Sequence, residues 1–316
     1  MPGLDLGALP AAPSDSQLPD DAASRWHLPE VTVSAALFAK FQQLIYRETG
    51  IWLSESKTAL LCGRLARRLR ALALSSLREY YQLVAEPDQH EERVLMIDAI
   101  TTNETRFFRE PRHFEYLTGT IFPLWRKLAS QELRPRRIRV WSAGCSSGEE
   151  PYSLAMILAE NFPACDGWDV RVLATDISTR VLAVAREGIY RIAGASDIPR
   201  DLLQRFMLKG YDAHQGKMKV VREIRQMVEF RRLNLSDDVY PVNETFDVIF
   251  CRNVLIYFDA VSKTKVVDKL TRHLSQHGLL FIGHAENLHS ITQGLRSVAP
   301  TVYLQRNERS HSREGA

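Results

Sequence analysis

Three apolar runs of this sequence end in residues able to do chemistry. In the first, Ile138-Arg139-Val140-Trp141 leads into Ser142-Ala143-Gly144-Cys145-Ser146-Ser147-Gly148-Glu149-Glu150-Pro151, then into the apolar stretch Tyr152 to Leu158. A strand, a turn of small residues and a helix in that order make a cradle. Small residues let a ligand come close to the backbone, and free amides at a helix N-terminus favour an anionic group such as a carboxylate. The glycines alone would suit any tight turn. The second run, Val170-Arg171-Val172-Leu173-Ala174, ends in Thr175-Asp176, which puts a carboxylate at the carboxyl edge of a neighbouring strand, where doubly wound folds hydrogen-bond a ribose. Alone, Asp176 would read as a cap for a helix from Ser178 onward. Paired with the cradle it points to a nucleoside cofactor, with Asp176 as the ribose partner.

The third run, Phe246-Asp247-Val248-Ile249-Phe250, continues into Cys251-Arg252-Asn253, so Asn253 stands at the sheet edge where ligand and chemistry are held. Asn234-Leu235 offers an amide beside an apolar side chain, a pair suited to an adenine edge and face. A nicotinamide dinucleotide calls for Gly-x-Gly-x-x-Gly around its pyrophosphate, whereas this turn has only Gly144 and Gly148. A nucleoside without a pyrophosphate fits better. Outside these runs, Arg64, Arg67, Arg68, Arg70 and Arg78 accompany Leu61, Leu65, Leu69 and Leu72, giving a helix with one apolar side and a basic remainder. Such a face is either simply solvated or docks an acidic partner.

These groups need a scaffold, and the pattern of apolar residues supplies one. Apolar residues recur at helical spacing from Ser34 to about Ala99, as in Leu37, Phe41, Leu44 and Ile45, which predicts a small all-helical domain over 31–100. Residues 101–116 read as a linker. After Arg137 short β-rich runs, the last being Leu279 to Ile282, alternate with helical stretches over a domain at 117–305, and this implies a parallel sheet flanked by helices. The polar stretch at about 191–232 breaks the alternation; Lys217 to Ile224 and Met227 to Arg231 are expected to pair there as a small β insertion. Residues 1–30, with five prolines among small and acidic residues, and 306–316 read as tails.

With 316 residues, 45% hydrophobic and 25% charged, the composition matches an ordinary globular protein. A net charge of +3 is far below the basic excess of a dedicated nucleic-acid binder. Cys62, Cys145, Cys165 and Cys251 form no paired spacing and no metal quartet with histidine, so reduced thiols and no metal are expected. No apolar run reaches membrane or signal-peptide length, and a cytoplasmic location is the expectation.

Three blocks of the chain resemble the signature segments of the CheR family of chemotaxis receptor methyltransferases. They are Thr101-Thr102-Asn103-Glu104-Thr105-Arg106-Phe107-Phe108-Arg109-Glu110, then Trp141 to Ser153, then Phe250-Cys251-Arg252-Asn253-Val254-Leu255-Ile256-Tyr257-Phe258. The likeness runs over about 34–305 in the family's order. It implies an α/β, Rossmann-like S-adenosylmethionine-dependent methyltransferase domain with a small antiparallel β insertion, preceded by a small all-α domain. The implied reaction moves a methyl group from S-adenosyl-L-methionine to glutamate carboxylates on the cytoplasmic helices of chemoreceptors, releasing S-adenosyl-L-homocysteine. By that likeness Asn103, Thr105, Arg109, Glu149, Asp176, Asn234, Leu235, Arg252 and Asn253 bind the cofactor, with Glu149 and its neighbour Glu150 competing for one role. Cys145 stands where relatives carry a small residue such as alanine.

A sulfonium methyl needs no enzymic nucleophile, so positioning carries the catalysis. Arg109, through its bidentate fork, and Tyr257, through a hydrogen bond, are the candidates for orienting the acceptor; Arg109 alternatively grips the cofactor's own carboxylate. Phe107 and Phe108 read as core anchors. His284 and Glu286, in Gly283-His284-Ala285-Glu286-Asn287, are placed to line the site or simply to be satisfied. The likeness turns Arg64, Arg67, Arg68 and Arg70 into a receptor-docking face. It also suggests that a receptor C-terminal peptide adds a strand to the β insertion, near Lys209 to Gly216, although Asp212 stands where a glycine is expected. Arg252-Asn253-Val254-Leu255 lacks the paired prolines of nucleic-acid amino-methyltransferases, and Cys251 follows Phe250 rather than the proline of cytosine methyltransferases. Nucleic acid is therefore not the expected partner. The competing reading is a cofactor-binding adaptor that docks receptors without turnover.

Overall fold

The computed structural model describes residues 33–288, 291 and 294–306. The expected tails, 1–30 and 306–316 apart from Arg306, lie outside the described residues. Four helices come first: α1 Ala35–Thr49, α2 Thr58–Ala71, α3 Leu77–Ala85 and α4 His90–Ile100. Ser34 caps α1 by accepting the Leu37 N–H at 3.3 Å, and the helix ends where Gly50 turns to φ 69°, a conformation that costs glycine nothing. Phe41, Ile45, Leu61, Leu65, Tyr80, Val84 and Met96 form a separate buried cluster for these helices. Leu72, read as part of the apolar stripe, is exposed because α2 has already ended.

Helix α5 Pro111–Tyr116, a π-turn at Leu117–Ile121 and α6 Phe122–Ser130 lead into the sheet domain. There follow β1 Arg137–Ala143, α7 Glu149–Asn161, β2 Asp169–Asp176, α8 Thr179–Glu187, β3 Ile189–Arg191, α9 Arg200–Phe206, β4 Met207–Lys209, β5 Lys217–Val220 and α10 Arg222–Gln226. The chain continues through β6 Val228–Arg232, β7 Phe246–Cys251, α11 Ala260–Arg272, β8 Leu274–Ile282, β9 Leu295–Ala299 and β10 Val302–Gln305. The main sheet has the order β6-β2-β1-β7-β8-β10-β9, parallel from β6 to β8 and antiparallel at β10 and β9. Alternate side chains serve opposite faces. Val140 packs in the same cluster as Leu154 of α7, and Trp141 packs with Leu270 of α11.

The β insertion differs from expectation. Lys217 to Ile224 and Met227 to Arg231 do not pair with each other. Strand β5 sits between β3 and β4 in a three-stranded antiparallel sheet, α10 intervenes, and β6 joins the main sheet in register from Val172↔Val228 to Asp176↔Arg232. Burial explains it: Ile224 and Val228 belong to the main core and Phe230 packs edge-on against Tyr152 at 5.6 Å, so this segment gains more from the large core than from a two-stranded hairpin.

Candidate functional site

At the carboxyl ends of β1, β2 and β7 lies a cavity of about 670 Å³, covered by the α1–α2 connection and by the segment from Ile100 to Arg109. The first wall is the turn after β1. Gly144 has φ 83°, and a Cβ there would collide with Val254 Cγ2. The amides of Gly144 and Cys145 both donate to the Thr175 carbonyl, at 2.8 and 2.9 Å, Ser146 donates to Asp176 at 2.8 Å, and Gly148 to the Cys145 carbonyl at 3.1 Å. With these four amides already spent, three on the end of β2 and one within the turn, they are not free to cradle a pyrophosphate. This donor chemistry separates a phosphate-free nucleoside from a dinucleotide more firmly than the glycine count does.

Asp176 is almost fully buried at the end of β2 and lines the cavity. Its Oδ2 accepts from Ser146 N and its Oδ1 from Ser178 N, at 2.8 and 2.9 Å. Ile177 N also bonds to it, so the carboxylate is held square by backbone amides, and its remaining acceptor capacity suits the hydroxyls of a ribose. Burial pushes its pKa up against the pull of those backbone bonds. Asn234 bridges the two halves of the molecule: its Nδ2 donates to the Glu48 carbonyl at 2.7 Å and its Oδ1 accepts from Ser236 N at 3.0 Å. Beside it Leu235 presents an apolar face to the cavity. The residues present therefore suit an adenosine: a diol acceptor, an amide and an apolar wall.

The linker supplies the roof. Asn103, Thr105 and Arg109 all line the cavity, and the Asn103 carbonyl accepts from Ser146 Oγ at 2.9 Å. Arg109 spends one N–H on the Glu104 carbonyl at 2.9 Å and has no carboxylate partner among the described residues. Tyr257 lines the same cavity and makes no side-chain hydrogen bond among the described residues. Phe107 is a buried core residue, as expected, packed edge-on against Tyr190 at 4.9 Å.

Behind this wall runs a buried ionic network. Arg252 donates Nε to Glu150 Oε2 at 2.8 Å and Nη1 to the Arg109 carbonyl at 2.7 Å, and Nη1 stands 3.0 Å from His113 Nδ1 and 3.5 Å from Glu110 Oε2. Glu150 also accepts from Ser142 Oγ at 2.7 Å. The cavity is thus lined by Glu150; Glu149 turns to Ser147 Oγ at 2.7 Å and does not line it. Adjacent first-turn residues of one helix point about 100° apart, which the sequence motif alone does not resolve. Burial beside the guanidinium drives His113 down to about 4. Glu110, His113 and His284 bring possible ligand atoms within 4.8 Å of one another, but the Arg252 guanidinium already occupies the Nδ1 side of His113 and faces the Glu110 carboxylate.

The basic helix splits in two. Arg64 turns inward to the Ile100 carbonyl and to Thr102 Oγ1 at 3.0 Å. Arg68 makes a bidentate pair with Glu92 at 2.9 and 2.6 Å, and Tyr80 Oη donates to the same carboxylate at 2.7 Å. Arg67, Arg70 and Arg78 are exposed. The sequence assigns no role to Glu110 or His113 and leaves Glu286 with two readings, because their partners lie up to 188 residues away in the chain. Among the described residues no helix is long and apolar enough to cross a membrane.

Residues 36–101 match the family model described as CheR methyltransferase, all-alpha domain, and residues 103–304 match CheR methyltransferase, SAM binding domain. Chemotaxis protein methyltransferase 2 of Pseudomonas aeruginosa is 43% identical over 268 residues, covering 84% of this chain and 91% of the relative. Chemotaxis protein methyltransferase of Escherichia coli is 40% identical over 275 residues, covering 86% and 92%. That of Salmonella typhimurium is 38% identical over 274 residues, covering 86% and 91%.

Proposed function

This chain belongs to the CheR methyltransferase family, and on that premise we propose that it transfers methyl groups to glutamate carboxylates on the cytoplasmic helices of chemoreceptors. It is an S-adenosylmethionine-dependent methyltransferase acting in chemotaxis. The observation that supports the acceptor assignment is that Arg109, with no carboxylate partner among the described residues, and Tyr257, with no side-chain hydrogen bond there, line the same cavity as Asp176.

S-adenosylmethionine, when bound, supplies a sulfonium methyl that a carboxylate oxygen attacks directly, leaving S-adenosylhomocysteine and a methyl ester with no proton to move. The chain's own task is placement. Asp176 accepts the ribose hydroxyls, Asn234 and Leu235 receive the base, and Asn103, Thr105 and Asn253 complete the wall. Arg252, neutralised by Glu150, braces the strand end behind Arg109. Arg109 and Tyr257 orient the acceptor carboxylate, and Arg109 serves this role by steering from the side without covering the attacking oxygen.

The 31–100 helical unit docks the receptor through Arg67 and Arg70, and the reaction takes place in the cytoplasm. Arg64 and Arg68 support that surface from within. A second contact is a receptor C-terminal peptide added to β4: that strand is an edge of its sheet, with Leu208 and Tyr211 exposed beside it. Incubation with labelled S-adenosylmethionine and receptor cytoplasmic fragments should yield label that mild base releases as methanol. Label stable to base would reject a carboxyl ester, and no label with receptor bound would favour an adaptor.

A further inference from the structure

We propose that Glu286, which does not line the cavity, is a positioning residue for methyl transfer: its carboxylate holds the turn that presents Asn253 and Tyr257. The inference rests on the reading above for the role of that turn, but its geometry stands independently.

Glu286 is about 95% buried, and no cation pairs with it among the described residues. Its partners are backbone amides. Oε2 accepts from Gly283 N at 2.6 Å and from Asn253 N at 3.0 Å, Oε1 accepts from Ile256 N at 3.2 Å, and Leu255 N also bonds to the carboxylate. Amides of a short turn converge in this way when they form a nest for an anion. Here the anion is a side chain from the end of β8, thirty-three residues further along.

The turn requires such a hold. Asn253 sits at φ 58°, a left-handed conformation that asparagine tolerates better than other non-glycine residues but that its surroundings must still hold in place. Two carboxylates do so. Glu286 fixes the Asn253 backbone, and Glu110 Oε1 accepts from Asn253 Nδ2 at 3.4 Å. A Cβ on Gly283 would lie 2.6 Å from Asn253 Nδ2 and 2.8 Å from its N, so the β8 end can approach only as glycine. The short helical turn Leu255–Tyr257 that follows carries Tyr257 to the cavity, where the Tyr257 carbonyl accepts from Trp52 N at 3.1 Å. The Glu286 carboxylate thus sits at the root of the segment that supplies Asn253, Tyr257 and three further cavity residues, and the contact to the helical unit. Without it four buried amides lose their acceptor, and the segment relaxes before any ligand arrives.

Glu286→Gln keeps the shape, removes the charge and sets an NH2 group against a backbone N–H. In ligand-free protein, hydrogen exchange at Asn253, Leu255, Ile256 and Gly283 should accelerate in this variant; unchanged exchange would overturn the geometry. On receptor fragments kcat should fall on the order of tenfold or more, and in a Tyr257→Phe background the same change should cost clearly less. Full additivity of the two substitutions, or unaltered kcat despite faster exchange, would overturn the positioning role, since a merely structural residue does not couple to Tyr257. Glu286→Asp, which keeps the charge and shortens the reach, replaces the Gln variant if that one does not fold, with the same outcomes expected at smaller size. Should the wild type form no ester on receptor fragments, the acceptor reading has failed by itself; titration of S-adenosylmethionine then decides the positioning, and equal affinity in wild type and variant overturns it.

Discussion

Replacing Asp176 by alanine separates what this residue does for the fold from what it does for the cofactor. In the ligand-free protein the carboxylate satisfies the amides of Ser146 and Ser178 at 2.8 and 2.9 Å, so Asp176→Ala orphans two buried donors, at about 1 to 3 kcal/mol each. Against this, the substitution removes a buried carboxyl whose ionised form is disfavoured by desolvation, which offsets part of the loss. The net change in melting temperature should be modest. The cofactor loses hydrogen bonds from its ribose to a charged acceptor, and because water can enter the vacated space the deficit should be about 1 to 3 kcal/mol, roughly ten- to a hundredfold in Kd. Titration calorimetry with S-adenosylmethionine measures it. The pH dependence gives a second handle. Because the folded pKa is raised, the Asp176 contribution to ligand-free stability is present below the ordinary aspartate value and is lost as pH rises through the folded value. Cofactor affinity runs the other way, since only the ionised carboxylate accepts from both hydroxyls. Affinity should therefore rise with pH across the window in which unliganded stability falls. An unchanged Kd for Asp176→Ala, or an affinity flat across that window, would refute the ribose assignment.

The other substitutions test surfaces and turns. Arg67→Glu combined with Arg70→Glu should weaken receptor methylation in a salt-sensitive manner while leaving S-adenosylmethionine titration unchanged; equal rates at low and high salt would remove these arginines from docking. Arg68→Ala belongs to a different class. It leaves Glu92, which is nearly buried, with Tyr80 as its remaining partner among the described residues, and should lower unfolding stability by about 2 kcal/mol without a salt-dependent effect on receptor KM, as thermal melts and kinetics would show. Gly144→Ala meets both a φ of 83° and Val254 Cγ2, so it should destabilise by more than about 1 kcal/mol and weaken cofactor binding; a melt and titration matching wild type would show that the turn tolerates a side chain.

What the sequence reveals about this site and what it hides divide along a physical line. Strand ends are legible because one short run fixes both the strand and the group at its tip: Asp176, Asn253 and the turn at Gly144 follow from Val170 to Ala174, Phe246 to Phe250 and Ile138 to Trp141. The small sheet was misassigned because Lys217 to Ile224 and Met227 to Arg231 carry local β character, while their partners were chosen by the core that Ile224 and Val228 could reach. Charged residues were the least legible. Arg64, Arg67, Arg68 and Arg70 differ little as letters, and only the positions of Thr102 and Glu92 turn two of them inward. Glu149 and Glu150 are adjacent and chemically identical, yet the Arg252 guanidinium pairs with the second. A carboxylate or guanidinium is defined by what completes its charge, and in a doubly wound sheet that partner comes from a distant segment of the chain. For Arg252 it is Glu150; for Glu286 it is a set of amides with no charge at all. The network behind the cavity was therefore unreadable from any one segment, although every segment that builds it was in view.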